Sequence, residues 1–124
     1  MIVSKLVIRI IIWGNSLSDA DAEKFCQDDN LTPILSGNSE YSDVNMIDVW
    51  NYNKNYMDTG DYDKNGYPIM ILTWNGKRGD STLSFNCYVS DTKDNAELHY
   101  LSMGNEVMRG SSDYQTYSKN GEAN

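Results

Sequence analysis

Seven consecutive residues, Asp61-Tyr62-Asp63-Lys64-Asn65-Gly66-Tyr67, carry the spacing of the first half of a calcium-binding loop. Such a loop takes carboxylates at positions 1 and 3, an amide oxygen at 5, glycine at 6 for a sharp turn and a backbone carbonyl at 7, because a hard cation needs several oxygens in quick succession. Asp61, Asp63 and Asn65 are the expected ligands, and Asp58 could complete the shell. The second half of the pattern is missing: Leu72 stands where a bidentate glutamate should close the loop, Pro68 follows at once, and a strand rather than a helix comes next. The plainer reading is an Asn65-Gly66 turn, with calcium as the alternative.

Other chemistry has thinner support. The chain has one histidine, His99, so no two-histidine metal site can form, and Cys26 and Cys87 lack zinc-finger spacing. A Cys87–His99 dyad fails on strand parity, which puts the cysteine on an apolar face and the histidine on the opposite one. No glycine-rich phosphate loop and no nucleophile elbow appears, and no spacing singles out a catalytic pair among the eighteen acids. Arg78-Gly79-Asp80 reads as turn composition. The chain is therefore expected not to be an enzyme and to hold no cofactor beyond the calcium alternative.

Between Asp43 and Tyr62 the aromatic residues Trp50, Tyr52, Tyr56 and Tyr62 interleave with Asp43, Asp48 and Asp58. Aromatics beside acids suit a surface that meets Lys and Arg, through buried anchors, charge steering and cation–π contact. Asp61 and Asp63 are expected to extend that negative surface. The competing reading makes Trp50 core and the tyrosines loop packing.

Charge agrees with a basic partner. The formal net charge is -8, and residues 18–64 hold eleven acids against three lysines. A nucleic-acid binder needs a positive patch to release counterions, so direct nucleic-acid binding is not expected. Two cysteines are too few for a secreted disulfide framework and are read as reduced, buried thiols, with a single bridge as the alternative. Met1–Trp13 is apolar, but Arg9 interrupts it and no cleavage site follows, so a signal peptide is not expected; nothing approaches a membrane span. The expected location is cytoplasmic.

The elements that must position these residues follow from periodicity. Ile2–Ile12 alternates as a strand rich in β-branched residues. Ser18 with Asp19, Asp21 and Glu23 marks a helix start, and Ala22, Phe25 and Cys26 form an apolar stripe on a helix of about ten residues. Residues 28–45 read as an irregular connection, and Met46–Tyr52 as a short strand. From Tyr67 a meander follows. Turns centred on Lys77-Arg78 and Thr92-Lys93 put Met70, Leu72, Trp74, Leu83, Phe85, Cys87, Val89, Leu98 and Tyr100 on one face.

The expected fold is α+β: a mostly antiparallel sheet of about five strands, β-α-β and then a three-stranded meander, with one short helix on one face. Residues 1–103 are expected to form the domain, and 104–124 a polar, partly disordered tail with one further short strand near Tyr114–Tyr117. The expected function is a small acidic binding or inhibitor protein that neutralises a basic protein partner, of toxin-immunity or phage anti-defence type. The alternative is a calcium-dependent or carbohydrate-binding β module.

Overall fold

The computed structural model describes residues 16–53, 61–111 and 113–124, with side chains for all of these except 46–53. The strand expected over residues 2–12 lies outside the described residues.

Ser18 begins the helix as expected. Its backbone is extended and its hydroxyl accepts the Asp21 amide at 3.1 Å, while Asp19 and Asp21 occupy the first turn, where the dipole favours acids. Ala22 and Cys26 are fully buried, and Phe25 packs at the rim of the core. The helix does not stop after ten residues. The α-helix α1 (Asp19–Glu23) passes into a π-helical segment (Lys24–Leu31) and then into α2 (Thr32–Ser36), making one helix of 18 residues.

The π turn has a local cause. Pro33 has no amide hydrogen and its ring collides with the carbonyl four residues back in an ordinary α-helix. A wider turn relieves this: the Thr32 amide reaches the Gln27 carbonyl, and Asn30 Nδ2 donates to the Phe25 carbonyl at 2.7 Å. The added residue per turn also rotates Leu31 back toward Cys26, and both are fully buried. Helical periodicity read at 3.6 residues per turn puts Asp29 and Asn30 there instead. That is why the sequence suggests a loop from residue 28.

A 3-10 turn (Ser39–Tyr41) leads into the sheet, whose strands β1 (Val44–Asn53), β2 (Ile69–Arg78), β3 (Ser81–Ser90), β4 (Leu98–Met103) and β5 (Glu106–Gly110) lie in sequence order, each antiparallel to the next. With the helix against this curled sheet, the fold is α+β. The β2–β3 and β4–β5 hairpins each close with a two-residue turn that begins with a left-handed glycine, Gly79 at φ 60° and Gly104 at φ 59°. Gly-X is the pairing that such turns favour.

These turns correct the expected registers. Trp74 pairs with Phe85 rather than Ser81, a slip of four residues that leaves every side chain on its expected face. Phe85 pairs with Met103 rather than Tyr100, and this odd slip exchanges the faces of β4. Leu101 and Met103 are therefore the buried residues of that strand, while Leu98 and Tyr100 are half-buried. In the core Trp74 stacks on Phe85, ring centroids 5.3 Å apart, within one buried cluster that includes Leu31, Met70 and Leu72.

Two further expectations change. Cys26 and Cys87 are not reduced: they form a disulfide that ties the helix to β3, with Cα atoms 6.1 Å apart. Placing each on a buried face of packed elements brought them within bridging range. The polar stretch after Met103 is not a plain tail, for it supplies β5 and then folds back so that Tyr117 exchanges backbone hydrogen bonds with Tyr62 at 2.8 and 2.9 Å.

Candidate functional site

The Asp61–Tyr67 stretch folds as a turn closed on its own carboxylate. Asp63 Oδ1 accepts the amides of Asn65 at 2.8 Å and Tyr67 at 2.9 Å, the Asp63 amide donates to the Tyr67 carbonyl at 2.9 Å, and Gly66 adopts φ 86°. A short polar side chain that caps its own loop in this way is the reason aspartate favours turns. Of the three expected calcium ligands, Asp63 is 3% exposed and faces inward, Asp61 is half-buried and Asn65 is exposed. Asp63 therefore does not extend a negative surface.

Its second oxygen reaches the sheet. Ser90, at the end of β3, donates to Asp63 Oδ2 at 2.6 Å and lies 2.9 Å from Nε2 of His99 on β4. A carboxylate only accepts, so the Ser90 proton is committed to Asp63, and Ser90 Oγ takes the His99 Nε2–H. His99 is thereby held as the Nε2–H tautomer. Its ring stacks on Tyr114 at 5.1 Å between centroids, and Tyr88 meets Tyr114 edge-on at 6.0 Å. Burial holds the imidazole below its usual protonation range, against the opposing pull of Glu97 and Asp63. Burial and the nearby Asp61 charge push the Tyr114 hydroxyl up to about 12, so it stays neutral.

Asp63, Glu97 and His99 bring one potential ligand atom each within 4.8 Å of one another. The Ser90 hydroxyl already lies between the Asp63 carboxylate and the imidazole. Ser90 itself is fully buried, and its hydroxyl links the aspartate of the turn to the histidine of β4.

The acidic surface lies elsewhere. Asp19, Asp21, Asp28 and Asp29 are all exposed along the helix, and between residues 19 and 43 seven acids face one lysine. That lysine, Lys24, pairs with Asp29 at 3.0 Å, and the contact raises its affinity for its proton. Asp43 is exposed but paired with Arg78 Nε at 3.3 Å. Arg78 also donates to the Glu40 carbonyl at 2.7 Å and lies 5.6 Å from the Tyr41 ring centroid. Tyr41 in turn donates to the Glu106 carboxylate, which pushes its own hydroxyl up to about 12.

The other residues of the expected partner surface divide three ways. The backbones of Asp48, Trp50 and Tyr52 run along β1, with Trp50 opposite Trp74 and Tyr52 opposite Leu72, and their side chains lie outside the described ones. Tyr56 and Asp58 lie outside the described residues. Tyr62 is 4% exposed, so its ring is packing and not a surface anchor. Sequence reasoning missed the contacts of Ser90 with Asp63 and His99 and the stacking of Tyr114, and it placed Asp28 and Asp29 in a loop where they are exposed on the helix. The Gly104-Asn105 pair was the available signal for the hairpin that turns the chain back toward His99.

Compared with known proteins, the chain matches no family model, no curated protein and no solved structure. No described helix is long and apolar enough to cross a membrane.

Proposed function

We propose that this chain is a small, non-enzymatic binding or inhibitor protein that neutralises a basic protein partner, of toxin-immunity or phage anti-defence type. The observation that carries this reading is the set of exposed acids on the helix, Asp19, Asp21, Asp28 and Asp29, with Lys24 as its one basic residue. A rigid element that presents one sign of charge raises the encounter rate with an oppositely charged partner and selects against acidic ones. The disulfide holds that element to the sheet, so the charges are displayed in a fixed arrangement. The bridge also supports action in a compartment that sustains disulfides, in preference to the cytoplasmic location expected from two reduced thiols.

Titration against a panel of basic proteins, nucleic-acid-cleaving toxins among them, tests the reading. Micromolar or tighter binding to a basic member that weakens steeply with salt is expected, and the double substitution Asp21→Asn with Asp28→Asn should reduce it about tenfold while the melting temperature holds. Affinity indifferent to both salt and substitution would overturn the reading.

A further inference from the structure

Three stretches distant in sequence meet at one polar point: the Asp61–Tyr67 turn, the end of β3 and the start of β4. We propose that Asp63, Glu97 and His99 form a site for one divalent transition metal ion of the zinc class, held by one oxygen from each carboxylate and by Nε2 of the imidazole. This inference is independent of the proposed partner. It also differs from the calcium loop expected of Asp61, Asp63 and Asn65, in its ion, in two of its three ligands and in the Asp63 oxygen it uses.

Distance is the first support. Asp63, Glu97 and His99 each place one potential ligand atom within 4.8 Å of the other two. Ligands at tetrahedral zinc stand about 3.3 Å apart, so the three need to close in by at most about 1.5 Å. Glu97 is exposed and has the freedom to supply that movement.

The other two ligands are held in place. Asp63 is 3% exposed, and its Oδ1 is taken by the amides of Asn65 and Tyr67, so Oδ2 is the oxygen turned to the sheet. Ser90 donates to Oδ2 at 2.6 Å and leaves it a lone pair for an ion. The Ser90 amide also donates to the Glu97 carbonyl at 2.9 Å, which fixes the Glu97 backbone beside the same serine. His99 is the extra residue of a β-bulge: Tyr88 pairs with Tyr100 and Val89 with Leu98, and His99 falls between them. Such bulges re-aim a side chain beside functional sites. Tyr114 backs the ring by stacking. Metal ligands depend on support of this kind from hydrogen-bonded neighbours.

Charge and ligand type define the ion. Among the described residues neither Asp63 nor Glu97 forms an ion pair with lysine or arginine. A buried charge is ordinarily paired or coordinates a metal, and a dication balances two carboxylates. An imidazole nitrogen among the ligands selects zinc and its first-row neighbours over calcium and magnesium, which take oxygen. On coordination through Nε2 the single proton of the neutral ring moves to Nδ1. The Ser90–His99 contact gives way, the Ser90–Asp63 bond remains as support, and water fills the rest of the coordination shell.

Calorimetric titration of the untagged full chain, disulfide intact, with zinc chloride tests the site. Saturable one-to-one binding of micromolar affinity or tighter is expected. Glu97→Gln and His99→Gln should each weaken it at least about tenfold, while Asp80→Asn, an exposed acid in the β2–β3 turn, should leave it unchanged. The chain has one histidine, so its ring gives a single set of nuclear magnetic resonance signals. Those signals should move in the wild type and stop moving at one equivalent of zinc, a readout that stands even if a variant fails to fold. The proposal is overturned by the lack of saturable binding, by an affinity that survives either site substitution, or by zinc uptake that leaves the ring signals in place.

Discussion

At the scale of single residues, Asp63 holds more of the structure together than its place in a polar turn suggests. It accepts two amides and a hydroxyl while almost wholly buried. Removal leaves three donors without an acceptor, so Asp63→Ala should cost about 3 kcal/mol, seen as a lowered denaturation midpoint. The same geometry bears on calcium. Because Asp63 Oδ1 is turned into its own loop, millimolar calcium should leave the wild-type melting temperature unchanged, and a rise of several degrees would restore the ion reading. The turn was legible in the sequence from Asn65-Gly66, since only certain residues tolerate a left-handed backbone. The inward direction of Asp63 was not, because it depends on Ser90, twenty-seven residues away in sequence, and only the strand register reveals that neighbour.

Among the elements, parity separates what could be read from what could not. Alternation over β2 and β3 identifies Met70, Leu72, Trp74, Phe85, Cys87 and Val89 as inward, and any even error in pairing preserves that set. On β4 the slip was odd, so the inward residues are Leu101 and Met103. The helix was legible only at its start, where Ser18 and the apolar stripe obey ordinary helical spacing. Its second half escaped because the π turn before Pro33 changes the spacing itself. Close packing between strands has a sharp signature at Gly76. A Cβ there would lie 2.5 Å from the Asn45 carbonyl oxygen and 2.6 Å from the Phe85 ring. Gly76→Ala should therefore separate β1 from β2 locally and destabilise the fold by about 2 kcal/mol, measurable by chemical denaturation with loss of amide protection along β1.

For the molecule as a whole, the helix and sheet could each be anticipated, whereas the covalent bond between them was legible only as the alternative to free thiols, because two cysteines 61 residues apart carry no spacing signal. Closing a loop of that length removes enough freedom from the unfolded chain to contribute about 4 kcal/mol in the chain-entropy description. Replacing Cys26 and Cys87 together with alanine should lower stability by about that amount, and production in a reducing compartment should give a protein that melts earlier than the oxidised form. The bond also has a topological effect. Residues 26 to 87 form a closed covalent ring that contains the second half of the helix, β1, β2 and the Asp61–Tyr67 turn, while α1 and β4–β5 hang from it as open arms. A single protease cut within the ring changes the connectivity but not the mass of the particle, apart from one water, until a reductant is added. A cut in either arm can release a fragment at once. Electrophoresis with and without reductant would therefore assign each nick to the ring or to an arm without sequencing a peptide.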